Sequence, residues 1–590
     1  MWRNSGLRAP GFVLSRWQMG QTVLLVIPPL VLALLGWRYR WVVDDGYIYL
    51  RVVQHITAGY GPVFNIGERV EVFSSVVWQA LLTLADVLLP LRLEWLAVWL
   101  GIILSIIGLL LAMAGSARLV RISYPETMLW PFGALLPVGV FVCWFYVTSG
   151  METGLVMAWL GGCIFVLGRW AAQPRQRLPV MAAALIGLGG LVRPELALFS
   201  VLFAVMVLAL QWPRDSWRQR LGLLLAISFI PIAYQIFRMG YYGSLVANPA
   251  LAKDAASPQW QQGWLYLMDF MSPYWLWPVL ILVLAGGYLP LVRGLWHRRA
   301  MRALAVLAVC VICAVLHALY IVTAGGDWLH GRLLLPALYV LVLPVAVLPV
   351  TRAFMLAMLI VPWVVSSALW FRPPQVEKPT LVDPVIHTGM HVTVEEKHWG
   401  PRGSARRQLT EVGFYVDTRF GKGFVHVEGA VPGPYARLPG MTAQALGHPP
   451  YALGPDWYVI DVFGLAHPLV ARFESTPSLS VLPRVPGHKK PLPKVWLYAM
   501  IMPAGLEVDP EVFPGTYFNP LIPESRGDGF WQQVALVREV LGCPALVELH
   551  AAVTEPLSLQ RFIKNFTGAW TRTRLTIPPD PELAWQKFCA

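Results

Sequence analysis

The sequence predicts a polytopic α-helical membrane domain followed by a mixed α/β domain on its outer face, and three observations carry that prediction. Of 590 residues, 56% are hydrophobic and only 13% charged, with a mean hydropathy of +0.56, far too apolar for a soluble protein. Between Gln21 and Trp370, apolar runs alternate with short arginine-bearing segments, the pattern of membrane spans and their cytoplasmic ends. From Arg372 onward the chain turns rich in Pro, Gly and charge, with no run long enough to span. The boundary therefore divides a membrane domain, residues 1–371, from an outer domain, residues 372–590. The 46 Lys+Arg against 33 Asp+Glu give a net charge of +13. In a soluble domain that balance would suggest nucleic acid; here most arginines of the membrane domain sit between apolar runs, so no nucleic-acid partner is expected.

The first run, Gln21 to Trp37, follows Arg3, Arg8 and Arg16. No small-residue cleavage site comes after it, so it reads as an uncleaved span with a cytoplasmic N-terminus. The stretch Trp41 to Trp78 comes next and opens with two adjacent carboxylates, Asp44 and Asp45. Tyr47, Leu50, Arg51 and Gln54 recur there at helical spacing, and Gly59 with Gly61 ends the helix. Taken alone, the acidic pair is better explained as an N-cap and a first-turn acid than as a site.

Val76 to Pro90 is apolar but short of the roughly twenty residues a spanning helix needs. Were it a span, Arg118 and Arg121 would fall outside and every later arginine cluster would be inverted, so it is read as a helix on or dipping into the outer face. The remaining spans are expected near Glu94–Ala117, Met128–Tyr146, Gly154–Leu167, Pro179–Leu191, Leu196–Trp212, Leu221–Phe237, Tyr274–Val292, Ala303–Val322, Leu333–Val350 and Ala353–Trp370. With the first, this makes about eleven spans and an exterior C-terminus.

This topology gathers the unusual polar residues on one side. The outer segments hold Asp44 and Asp45; Glu152 in TSGMETG; Arg193 and Glu195 in LVRPE; Asn248, Lys253 and Asp254 in NPALAKD; and Asp327, His330 and Arg332 in GGDWLHGR. Each has an ordinary structural explanation: Arg193 and Glu195 as an ion pair, Asp327 as a turn cap, His330 as packing, Glu152 at a helix start. Ionisable groups near membrane depth are nonetheless functional candidates by default, and together they describe a charged cavity at the outer leaflet. A lipid-phosphate sugar donor has its reacting bond at that level. Its transferase needs a carboxylate for the acceptor hydroxyl and cations for the departing phosphate. Asp44 and Asp45 meet the first need, and Arg193, Lys253 and Arg332 the second. No P-loop and no G-x-G-x-x-G between strand and helix is present, consistent with a donor delivered on lipid.

These motifs resemble the GT-C class of polyprenyl-phosphate-sugar-dependent glycosyltransferases. The ordered set DDGYIYLRVVQHITAGYGPVFNIGERVE, TSGMETG, LVRPE, NPALAKD and GGDWLHGR is similar, more narrowly, to the terminal β-(1→2) arabinofuranosyltransferases of the mycobacterial cell wall. The resemblance implies decaprenyl-phospho-arabinose as donor and the arabinan ends of arabinogalactan and lipoarabinomannan as acceptor. It also implies a multi-pass protein of the plasma membrane with a periplasmic site. Asp44 and Asp45 match the acidic motif and Glu152 the acid of the next outer loop. Arg193, Glu195, Asn248, Lys253, Asp254, Asp327, His330 and Arg332 fall to donor binding, and Tyr47, His467 and His488 to the acceptor. Some relatives use a divalent cation at the acidic pair. Two adjacent acids without further spaced ligands do not define a metal site, and no other cofactor is indicated. If donor and product are both β, configuration is retained, which requires a glycosyl–enzyme species or attack from the face the phosphate leaves.

The outer domain, about 220 residues, is long enough for its own core. WYVIDVF (457–463) and Val495 to Met500 read as strands and Trp531 to Leu541 as a helix. Cys543 and Cys589 share an oxidising compartment, which leaves their pairing open. A transporter would also have many spans, but no related halves are visible and the charges gather at one face. A membrane-anchored glycan-binding protein would not need the acidic pair. Within the enzymes, the alternative is a relative using a mannosyl or other pentosyl lipid.

Overall fold

The structure is a computed structural model describing residues 16–211, 215–253, 258–327, 329–350, 359–365, 367, 440–443, 446–447, 450–451, 454–475, 490, 492–501 and 529–590. Among them, 7 helices are long and apolar enough to cross a membrane. They are Gln21–Arg38, Leu93–Ser123, Thr153–Ala172, Pro194–Gln211, Trp217–Tyr242, Leu276–His297 and Met301–Ala324, and they make the chain a polytopic membrane protein.

This is fewer than the eleven expected, and the difference has a backbone cause. The run Met128–Tyr146 folds as two short helices, Phe132–Gly139 and Phe141–Phe145, with Pro137 inside the first. Pro179–Leu191 splits into Val180–Gly187 and Gly189–Val192. Leu333–Val350 breaks into Arg332–Leu334, Leu335–Val342 and Leu343–Val345. It ends in strand Leu348–Pro349, paired antiparallel with Leu129–Trp130. Proline and glycine interrupt the i→i−4 ladder in these runs, and such backbone survives at membrane depth only where protein surrounds it. Of the run Ala353–Trp370 only a helical piece at 359–365 is described. Val76–Leu88 is a helix of 13 residues with Leu84, Val87 and Leu88 exposed, about 20 Å long and too short to span.

Helices Leu93–Ser123 and Thr153–Ala172 form the tightest pair. Gly154 packs on the backbone of Gly101, Gly161 on Gly108 and Gly168 on Gly115, each with no room for a Cβ. The seven-residue step on both helices, in the same direction, makes a parallel pair at near-minimal separation, as small residues permit in membranes. Both helices therefore enter from one face. Glu152, which precedes the second, and Glu94, in the first turn of the first, lie at that face.

The C-terminal part is more helical than expected. Strand Tyr458–Asp461 forms as predicted, pairing in parallel with Gly440–Ala443, and the predicted Trp531–Leu541 helix lies within Gly529–Leu541. Val495–Met500, expected as a strand, lies instead in helix Lys494–Ile501. Its run of Trp496, Leu497, Tyr498 and Ala499 is wholly buried, and a short continuous apolar run carries no period that distinguishes strand from helix. Helices Pro544–Thr554, Leu559–Arg574 and Pro581–Phe588 complete it. Cys543 and Cys589 are disulfide-bonded, with Cα atoms 5.5 Å apart. A small core of Trp496, Val534, Val537, Leu546 and Ala584 lies here, whereas Leu446, Tyr451, Val459 and Ala466 join the main core of the membrane helices.

Polar contacts fix that joint. Arg51, fully buried on helix Asp44–Thr57, donates to the carbonyls of Phe64 (3.0 Å), Pro450 (2.6 Å), Gly454 (2.7 Å) and Trp457 (2.6 Å). The Asn65 amide pairs with both backbone groups of Val459, and Tyr458 donates to Glu68 at 2.6 Å. Below them Glu71 accepts from Arg238 and Tyr234.

Candidate active site at the acidic-pair face

Helix Asp44–Thr57 begins at the acidic pair with Val43 extended in front of it. The Val43 amide donates to the Ser149 carbonyl at 2.9 Å. Gly46 lies so close to Ser149 and Gly150 that a Cβ would be 2.7 Å from the Ser149 oxygen. The third residue of DDG is thus a glycine by close approach, and it brings the pair against the TSGMETG loop. Neither aspartate caps its own helix, since Val43 is the N-cap residue.

The two carboxylates face different partners. Asp44 Oδ2 accepts from the Gly447 amide at 3.0 Å, which brings the C-terminal chain over the pair. Asp45 Oδ2 lies 3.6 Å from Arg332 Nη1. Arg332 binds Asp327 Oδ2 through Nε (2.8 Å) and Nη2 (2.6 Å). Its Nη1 is buried with no hydrogen-bond partner among the described residues, a costly condition for an N–H unless a ligand supplies the acceptor. An oxygen entering between Asp45 and Arg332 would meet one carboxylate and one unspent guanidinium N–H.

Beside this pair, Glu152 is fully buried. It accepts from Tyr49 Oη at 3.2 Å and is bridged to Arg193 Nη1, while Arg193 Nε donates to Glu195 at 2.5 Å. Asp45, Arg332 and Asp327 thus form one ionic group and Glu152, Arg193 and Glu195 a second, and the two, drawn from four distant segments, are near enough for Arg332 to feel the charge of Glu152. His330 stands at their edge, with Nδ1 2.7 Å from Asp269 and Nε2 3.0 Å from the Tyr274 hydroxyl.

Other predicted residues lie elsewhere. The Asn248 side chain donates to the carbonyls of Gly464 (2.7 Å) and Leu465 (3.1 Å), tying helix Asn248–Ala252 to the C-terminal segment. Lys253 ends the short helix Asn248–Ala252, and among the described residues no hydrogen bond or ion pair links it to either ionic group. Tyr47 is fully buried with its ring 5.1 Å from that of Tyr451. Asp254 and His488 lie outside the described residues. Among the described residues no three His, Cys, Asp or Glu side chains gather as metal ligands. The acidic pair faces a guanidinium and a backbone amide.

A protein from Mycobacterium tuberculosis named terminal β-(1→2)-arabinofuranosyltransferase is 32% identical over 92% of this chain and 94% of its own length. One of the same name from Corynebacterium glutamicum is 32% identical over 94% of this chain and 85% of its own length. The chain belongs to the terminal β-(1→2)-arabinofuranosyltransferase family. No protein-family model and no solved structure matches it.

Three residues of this arabinofuranosyltransferase that border the site went unnoticed in the sequence. Tyr49 lay within the quoted motif, one helical turn past Asp45, but nothing in the residue order pointed to its pairing with Glu152. Asp269 is the one acid in the aromatic stretch WQQGWLYLMDFM, which is a signal of the kind that intramembrane acids provide. Gly447 acts through its backbone, which no residue pattern reveals.

His467 is buried in the transferase, and its Nδ1 accepts from the amides of Leu469 (3.3 Å) and Val470 (3.4 Å). Burial, with a smaller contribution from His550, pushes its pKa down to about 4. The unfolded chain therefore takes up this proton first as pH falls below the free histidine value. The stability from neutral His467 is present above about pH 6.5 and is lost toward pH 4, by up to roughly 3 kcal/mol. Burial pushes Asp461 up to about 6, so it acts with the opposite sign, favouring the fold as pH falls. His467→Asn keeps an acceptor for the same amides and removes the titration. Its melting temperature should fall less than the parent's between pH 7 and pH 4.5; equal falls would show that His467 does not carry the dependence.

Proposed function

We propose that this transferase moves D-arabinofuranose from decaprenyl-phospho-arabinose to the non-reducing ends of cell-wall arabinan, forming terminal β-(1→2) linkages at the periplasmic face of the plasma membrane. The observation that carries the reading is the buried Nη1 of Arg332, which has no hydrogen-bond partner among the described residues and faces Asp45 across 3.6 Å. A guanidinium N–H suits a phosphate oxygen and the neighbouring carboxylate a sugar hydroxyl. Arg332 donates to the departing phosphate, and Asp327, bound to its other nitrogens, fixes the guanidinium plane. As the bond from the anomeric carbon to the phosphate oxygen breaks, the acceptor oxygen bonds to that carbon and its proton passes to the acidic pair. Glu152, tied to Arg193 and Tyr49, sets the charge and shape of the adjoining wall. Retention of the β configuration needs either a carboxylate-bound arabinosyl species or delivery of the acceptor from the face the phosphate leaves.

The test is transfer by purified protein from synthetic polyprenyl-phospho-arabinofuranose to a short arabinan, with the linkage read by NMR. A terminal β-(1→2) product is expected. Transfer only from a mannosyl or other pentosyl lipid would refute this donor while leaving glycosyl transfer in place.

A further inference from the structure

The C-terminal helix Leu559–Arg574 shows a surface that neither the ionic groups nor the domain joint uses. At 3.6 residues per turn, Phe562, Thr573, Phe566, Leu559, Trp570 and Ile563 fall in that order around one sector of about 100°, apolar but for the threonine near its Phe562 edge. Phe562 lies against Gly240, leaving no room there for a Cβ. Gly240 belongs to the last turns of Trp217–Tyr242, a membrane-crossing helix whose Phe229, Ile230, Ile232 and Ile236 are exposed. From that contact the apolar sector passes half-buried Phe566 and becomes exposed: Leu559 is 77%, Trp570 59% and Ile563 54% exposed.

The remaining sectors are polar. Next to Ile563 come Arg574, whose guanidinium lies 4.9 Å over the Trp570 ring, then Thr567, Gln560, Thr571 and Lys564, which binds Glu548 at 2.5 Å. The opposite side is fastened to the protein. Arg572 there donates to the Gly243 carbonyl at 3.1 Å, while at the Phe562 edge of the stripe the Leu245 amide donates to Thr573 at 2.8 Å. The helix is thus held sideways at the end of a spanning helix, away from that helix's Arg218 and Arg220, with its exposed apolar stripe continuous with lipid-facing surface.

We infer that Leu559–Arg574 is an interfacial helix, its Leu559, Ile563 and Trp570 stripe seated in the phospholipid headgroup–acyl boundary and Arg574 at the phosphate level. An amphipathic helix with Trp and Leu on one face and basic residues beside them fits a membrane surface. The partner is the bilayer already surrounding Trp217–Tyr242, which is why a stripe this apolar remains uncovered by the described residues. The helix thereby ties the C-terminal segment to the membrane plane while Arg51 and Asn65 hold that segment over the acidic pair. The inference rests on Trp217–Tyr242 crossing the bilayer and not on the identity of the sugar donor.

The experiment places single nitroxide labels on full-length protein in nanodiscs containing phosphatidylglycerol, at Ile563→Cys, Trp570→Cys, Gln560→Cys and Thr567→Cys, with Phe229→Cys as a mid-span reference. The four free cysteines are buried and do not compete for label. Labels at 563 and 570 should be relaxed by oxygen several-fold more than by a water-soluble nickel chelate, and labels at 560 and 567 the reverse. Equal nickel access at all four positions would overturn the inference. So would labels at 563 and 570 shielded from both relaxants, which would indicate a protein partner. Nickel access at 229 as well would refute the span itself, a separate failure.

Discussion

Replacing Asp45 by Asn is expected to lower turnover by about a thousandfold, with the Michaelis constant for the lipid donor changed little. The two side chains have nearly the same volume, and the amide still presents an oxygen toward Arg332. What disappears is the charge that, in the proposed reaction, accepts the proton of an attacking hydroxyl or stabilises positive charge at the anomeric carbon. Asp45 suits this role better than Asp44, whose Oδ2 is already engaged by the Gly447 amide. Single-turnover kinetics with pre-bound donor check the expectation, because they separate the chemical step from binding. A variant with parental single-turnover rate would remove Asp45 from the chemistry.

Arg51→Met should cost about 3–5 kcal/mol of stability and uncouple the C-terminal segment from the membrane domain. Methionine fills much of the same volume, but it leaves the carbonyls of Phe64, Pro450, Gly454 and Trp457 without the donor they converge on. Burial already pushes the Arg51 guanidinium down to about 9, so its place in the fold is maintained by these four acceptors. Thermal unfolding measures the loss, and limited proteolysis near 450–457 reports the uncoupling. Activity should fall too, because the same strand of chain presents Gly447 to Asp44. Unchanged proteolysis with lowered activity would show that Arg51 acts on the site by another route.

The parts of the site that were legible in the sequence share one property: they are charged groups where the bilayer makes charge expensive. That is why Asp45, Glu152, Arg193, Asp327 and Arg332, scattered over nearly 290 positions, stood out and do meet in space. The same reasoning included Asn248, which ties helix Asn248–Ala252 to the C-terminal segment. It overlooked Asp269, whose partner His330 lies 61 residues away. Charge cost singles out a residue without naming its partner, and a polar amide holding two backbone segments together has the same composition as one awaiting a ligand.

Residue order alone places this chain in a membrane, marks where its first helices begin and shows which loops carry its charge, because hydrophobic transfer and charge burial act locally and leave periodic, countable traces. It took the folded molecule to show which apolar runs break into buried half-helices, that Arg51 and Asn65 fasten the C-terminal segment over the acidic pair, and that Arg332 turns toward Asp45 the one nitrogen that Asp327 does not hold. Those outcomes depend on which backbone carbonyls and carboxylates arrive at one place together, and such meetings are fixed by packing among distant segments, not by any residue's neighbours along the chain.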